Sequence, residues 1–168
     1  TLNPSIPIAT NCAVWTGSEM LVWSNGEGAR YNPETDSWTI ISSVGSPTPR
    51  LGYTTIWTGT EMIVWGGYDV NQDVLNSGAK YNPTTDSWSS ISTSNSPSPR
   101  YEHSAVWTGS EMIIWGGLLE IPTSQQNIEF TNSGSRYDPL SDTWTATSTL
   151  NCPNPTIYHS AIWTGTDM

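Results

Sequence analysis

The sequence predicts an all-β protein assembled from a repeated four-stranded unit, and three observations carry that expectation. Apolar runs are short, about five residues at most, and Ser, Thr, Asn, Gly and Pro fill the gaps between them, which is a strand-and-turn composition. All ten Trp fall into three series along the chain: Trp15, Trp57, Trp107 and Trp163; Trp23, Trp65 and Trp115; Trp38, Trp88 and Trp144. The spacings in the first series are 42, 50 and 56 residues, so a unit of about 50 residues recurs with insertions. Those insertions have one location. Trp23 to Tyr31 is 8 residues, Trp65 to Tyr81 is 16 and Trp115 to Tyr137 is 22, while the other segments keep their length.

Each unit reads as four strands. The first is SAVWTG at 104–109, where Gly109 supplies the positive φ that a tight hairpin needs. The second is EMIIWGG at 111–117. Both are apolar on successive residues, which predicts sheets covered on both faces. The third ends at Tyr31-Asn32-Pro33, Tyr81-Asn82-Pro83 or Tyr137-Asp138-Pro139, where Asn or Asp before Pro sets a type I turn. The fourth starts at Asp36-Ser37-Trp38 and its equivalents. SPTPR (46–50) and SPSPR (96–100) then lead into the next unit, their prolines interrupting any sheet ladder. The units span about 8–49, 50–99 and 100–155, with a partial fourth at 156–168.

These residues resemble the kelch repeat: an apolar strand, a Gly-Gly pair, then Tyr and Trp about seven residues apart. Here the pairs are Gly66-Gly67 and Gly116-Gly117, followed by YNPTTDSW (81–88) and YDPLSDTW (137–144). The first copy departs, with Ser24-Asn25 in place of Gly-Gly and a shortened loop. The resemblance implies a β-propeller with one four-stranded blade per repeat, so the expected fold is about three blades plus one extra strand, part of a six- or seven-bladed ring. Such a ring needs roughly 300 to 350 residues. Residues 149–168 match 1–20 at an offset of 148 and stop at Met168, the counterpart of Met20, Met62 and Met112. The expectation is that the remaining blades belong to a longer polypeptide; a self-complementing pair of half-rings is the alternative.

Charge narrows the function classes. Fifteen acidic against five basic side chains give a formal charge of -10 and a sequence pI near 4.2, unsuited to nucleic acid. No apolar run approaches the roughly 20 residues of a membrane-spanning helix. Every basic residue is phased with the repeat, Arg30, Lys80 and Arg136 before the Tyr and Arg50 and Arg100 before the first strand, which predicts structural roles. Seven acids are phased as well: Glu19, Glu61, Glu111 and Asp167 after the hairpin Gly, and Asp36, Asp86 and Asp142 before the third Trp series. They read as turn caps and interstrand hydrogen bonds. The phased Trp read as blade packing ahead of sugar stacking. His103 and His159, equivalent to Tyr53 and Asn11 on the inner strand, are a candidate metal pair without a visible third ligand. Cys12 and Cys152 occupy different phases, and no bond between them is expected.

The loop between strands two and three, at 24–28, 66–78 and 116–134, holds Glu27, Asp69, Asp73, Glu120 and Glu129 and no basic residue. It also carries Tyr68, Leu75, Leu118, Leu119, Ile121, Ile128 and Phe130. Propeller geometry gathers these loops on one face. The reading is a non-catalytic protein-interaction or assembly module of an exported or cell-surface protein, binding through Glu27, Tyr68, Asp69, Asp73, Leu118, Leu119, Glu120, Glu129 and Phe130. Its partner is another protein or the remaining blades. No catalytic residue, metal or cofactor is assigned; calcium held by Asp69 and Asp73 lacks the twelve-residue loop pattern. The alternative is part of a secreted propeller enzyme or a carbohydrate-binding protein whose site residues lie in the missing blades.

Overall fold

The computed structural model describes residues 13–121 and 129–168. Twelve strands form three antiparallel sheets. Sheet one is β1 (Ala13–Trp15), β2 (Met20–Ser24), β3 (Glu27–Asn32) and β4 (Ser37–Ile40). Sheet two is β5 (Thr54–Trp57), β6 (Met62–Trp65), β7 (Gly78–Asn82) and β8 (Ser87–Ser90). Sheet three is β9 (Ser104–Trp107), β10 (Met112–Trp115), β11 (Gly134–Asp138) and β12 (Thr143–Ala146). Strand order follows chain order in each, as a meander of hairpins requires. First strands touch from sheet to sheet, β1 against β5 and β5 against β9, so the sheets fan outward from an inner line of first strands. This is the arrangement of propeller blades. No helix among the described residues is long and apolar enough to cross a membrane.

The turns follow from local chemistry. Gly17, Gly59, Gly109 and Gly165 all sit at φ of 102° to 106°. At each, a Thr closes the hairpin: Thr58 Oγ1 accepts from the Glu61 amide at 2.9 Å and donates to its carbonyl at 3.2 Å. The capping side chain is therefore the Thr, and the phased acid is free to face the next strand, where Glu111 meets Arg136 at 3.4 Å and Glu61 lies 3.9 Å from Lys80. Between strands three and four, Asn82 Oδ1 accepts from the amides of Thr84 and Thr85. Asp36, Asp86 and Asp142 end these turns at φ of 48° to 53°, a conformation Asp tolerates. The fourth hairpin turn is present, with Thr164 Oγ1 accepting from the Asp167 amide at 3.0 Å, but residues 161–163 carry no ladder.

Two apolar layers join the three sheets. Leu21, Val22, Trp23 and Ile41 pack on Tyr53, Met62, Val64 and Tyr81. Ile56, Ile63, Trp65 and Ile91 pack on Met112, Ile114, Tyr137 and Trp144. Alternate residues of β6 thus serve opposite layers, Met62 and Val64 one way, Ile63 and Trp65 the other, which is why the strand is apolar at every position. Trp23 and Trp65 are fully buried at the centre of each layer, with Trp23 5.2 Å from Tyr53 and Trp65 5.3 Å from Trp144.

Polar bonds repeat across each junction. Trp88 Nε1 donates to the Ser42 carbonyl at 2.8 Å, and Trp144 Nε1 to the Ser92 carbonyl at 2.9 Å. Asp86 Oδ1 accepts from the Tyr81 hydroxyl at 2.7 Å and from the Ser42 amide at 2.9 Å; Asp142 does the same with Tyr137 and Ser92. Lys80 Nζ adds a bond to the Pro139 carbonyl at 3.0 Å. Asp86 and Asp142, two of the phased acids before the third Trp series, therefore each tie one blade to the one before it.

Candidate functional site

The variable loops stand on buried arginines. Arg50, at the end of SPTPR, is 4% exposed, and its Nη1 donates to the carbonyls of Gly66 at 3.1 Å and Ser77 at 2.7 Å. Those two carbonyls are the two feet of the loop between β6 and β7. Arg100 repeats the clamp on Gly116 and Ser133, at 3.1 and 2.8 Å, below the loop between β10 and β11. Burial lowers both guanidinium pKa values to about 10, still above neutral pH, and the planar fork of donors meets fixed carbonyl oxygens. Above the clamps, bridges run Leu51 to Tyr68 to Val74 and Tyr101 to Leu118 to Phe130, so the segment leading each blade is stitched to that blade's loop. Asp69 folds the loop tip, its Oδ1 accepting from the amides of Asn71 and Asp73 at 2.9 and 3.0 Å.

The nine residues expected to bind do not all gather. Asp73, Leu119 and Glu120 meet in a groove of about 400 Å³ between the two long loops, beside Gln72, Pro99 and Ile121. Glu27 is not in a loop: it pairs with Ser24 in β3, because Asn25 and Gly26, at φ of 53° and 86°, make a two-residue hairpin turn. That Asn-Gly pair was a readable signal for the turn. Leu118 is not an exposed contact, being 5% exposed and bridged on both sides, and Tyr68 is half-buried, its ring edge-on to Tyr101 at 5.1 Å. Asp69 serves the loop tip, while Glu129 and Phe130 lie exposed on the second loop. Ile128 and Cys12 fall outside the described residues.

The inner strands are closed by an interlock from blade to blade. The His103 ring sits 5.1 Å from Trp65, with Nε2 2.9 Å from Thr54 Oγ1, and His159 stands likewise over Trp115, 2.8 Å from Ser104 Oγ. Tyr53 does the same by donating its hydroxyl to the Trp23 carbonyl at 2.7 Å. A side chain on Gly66 would meet His103 Cε1 at 2.6 Å, which explains the Gly-Gly pair; Ser24 stands in its place where Tyr53 replaces His. Burial pushes the His103 pKa down to about 3, with the charges of Arg100 and His159 acting in the same direction. Among the described residues, no group of three or more His, Cys, Asp or Glu could hold a metal.

A second cavity, about 630 Å³, opens on the inner strands and is lined by Thr54, Thr55, Glu102, Ser104, Tyr158 and His159, among others. Sequence reasoning missed its rim. Gly52, Glu102 and Tyr158 hold the same place in the repeat, and all are left-handed, at φ of 65°, 54° and 54°. The conformation costs a residue with a side chain about 1–3 kcal/mol. The signal was present in Arg50-Leu51-Gly52-Tyr53 set against Arg100-Tyr101-Glu102-His103, where a position that holds Gly in one copy holds Glu in the next. The Glu102 carboxylate is half-buried with no ion pair or hydrogen bond among the described residues, and burial raises its pKa.

Comparisons with known proteins agree with this architecture. A family model, the KLHDC2/KLHL20/DRC7 Kelch-repeats domain, matches residues 10–168. The solved structure of YjhT superposes with a TM-score of 0.69 at 15% identity, over 86% of this chain and 52% of that one. The chain thus spans about half the length of that structure, and the likeness concerns the fold. No curated protein matches the sequence. Three meander sheets around an inner line of first strands, repeated cross-blade bonds and the family match over nearly the whole chain lead to one assignment: this chain belongs to the Kelch-repeat family.

Proposed function

We propose that the chain is a non-catalytic protein-interaction module of an exported or cell-surface protein, whose partner docks on the face built by the variable loops. The observation that supports this most is the groove between the two long loops. Asp73 and Glu120 supply charge and Leu119 and Ile121 apolar surface, on loops whose feet Arg50 and Arg100 hold rigidly. A firm base under variable, acidic tips is what a recognition surface requires. Kelch-repeat domains are generally protein-interaction modules, which favours the same reading. The face of sheet one that presents Asp36 and Trp38 is proposed to take a further blade, since Asp86 and Trp88 bind a neighbouring blade through the same two groups.

The test is quantitative capture on the immobilised full chain, compared with a variant carrying Asp73→Asn, Leu119→Ser and Glu120→Gln. Partners held by the wild type should be lost from the variant at equal thermal stability. Identical partner sets on both proteins would sink the proposal.

A further inference from the structure

We propose that the cavity on the inner strands is a second recognition site, in which Glu102 and Tyr158 receive a cationic side chain, Lys or Arg, of a protein partner. The inference rests on reading this face as the interaction surface and specifies the chemistry taken at its centre.

Four observations converge. Glu102 and Tyr158 occupy equivalent left-handed positions on successive blades and both line the cavity of about 630 Å³. Strain of this kind persists only where the surroundings enforce it, and Gly52 shows that the same place in the repeat is filled without strain. Among the described residues the half-buried Glu102 carboxylate has no ion pair or hydrogen bond, and the guanidinium of Arg100, two residues away in sequence, is committed to the Gly116 and Ser133 carbonyls. A desolvated carboxylate without a cation is costly, and a cation entering from solvent removes that cost. Finally, the carboxylate has aromatic company. Tyr158 lines the cavity together with Glu102.

The Tyr158 ring sharing a cavity with a carboxylate suits an ammonium or guanidinium, which gains from the ring face and the charge at once. A neutral sugar would leave the carboxylate without a cation, and the Thr54 and Ser104 hydroxyls are already engaged by His103 and His159. The charge of -10 also draws cations toward the chain.

The experiment is a titration of the full chain, followed by amide NMR, with capped Gly-Arg-Gly, its Gln counterpart and N-acetylglucosamine. The Arg peptide should give saturable shifts at Glu102 and Tyr158, weakened by salt, and the other two should give none. Glu102→Gln should weaken the Arg peptide about tenfold. Glu102→Gly should do the same with an equal or higher Tm, because Gly suits the left-handed position, and that separates lost binding from lost folding. Unchanged Arg affinity in Glu102→Gln, no saturable Arg binding, or a sugar that binds regardless of the substitution would each overturn the inference. The loop reading fails separately: it stands if capture depends on Asp73, Leu119 and Glu120 while the Arg peptide does not bind, and falls if the peptide binds while capture ignores those residues.

Discussion

Trp88 reaches out of its own sheet to donate its indole N–H to the carbonyl of Ser42 in the preceding blade, 2.8 Å away. The same serine returns its amide to Asp86, which ends the turn just before the strand that holds Trp88, so one residue of one blade is held at two points by the next.

The two bonds give the first prediction. Asp86→Ala should cost about 1–3 kcal/mol, since it removes a charged acceptor from both Tyr81 and Ser42. Asp36→Ala, which among the described residues loses the local Tyr31 bond alone, should cost less than half as much in this chain. Urea midpoints of the two variants check it, and equal losses would refute a cross-blade role.

Acid sensitivity follows from His103. Its folded pKa, about 3, lies below its ordinary 6.5, so the neutral ring is the form the fold favours. The stabilisation is complete above about pH 6.5 and is lost as pH falls from there toward 3, with a slope of up to about 1.4 kcal/mol per pH unit. Asp86, held below its ordinary value first by the Ser42 amide and then by Tyr81, adds a further loss under pH 3.8. His103→Tyr, which places in this blade the residue that Tyr53 supplies in the one before, should flatten the Tm profile between about pH 6.5 and 4.

Gly66→Ala should be severe. The added Cβ meets His103 Cε1 at 2.6 Å and the Arg100 carbonyl at 2.9 Å, at a φ of 73°. A loss of about 2–4 kcal/mol is expected, combining backbone strain with overpacking. Gly59→Ala, with open space around its Cβ, should cost only the strain of its φ of 102°. Thermal melts of the pair separate the two causes.

Arg100→Lys removes the fork that spans two carbonyls and replaces it with a single ammonium. The loop between β10 and β11 should then open, with cleavage within 118–133 by a protease of broad specificity rising at least about tenfold while the far-UV spectrum is kept. Protection equal to the wild type would show that the clamp is dispensable.

Much of the fold was legible because the repeat states it several times. The Trp series, the hairpin glycines and the doubly apolar strands each recur, and within the three complete units each finds its place in the sheets, while Trp163 of the partial fourth lies outside them. The cross-blade role of Asp86 was not legible, because a turn cap and a bridge to another blade use the same residue in the same turn. Leu118 read as exposed because it lies in an insertion; its bridge to Tyr101 is a tertiary fact with no local signature. Glu102 and Tyr158 stayed hidden for a different reason. They differ from one another and from Gly52, and only backbone geometry shows that the three are equivalent.

The arginine clamps also bear on how such a chain can change. Because Arg50 and Arg100 grip the loop only at its two feet, the span between can lengthen or shorten while the blade beneath keeps its register. The scaffold behaves as a socket for interchangeable cassettes, in which new specificity is acquired without renegotiating the core.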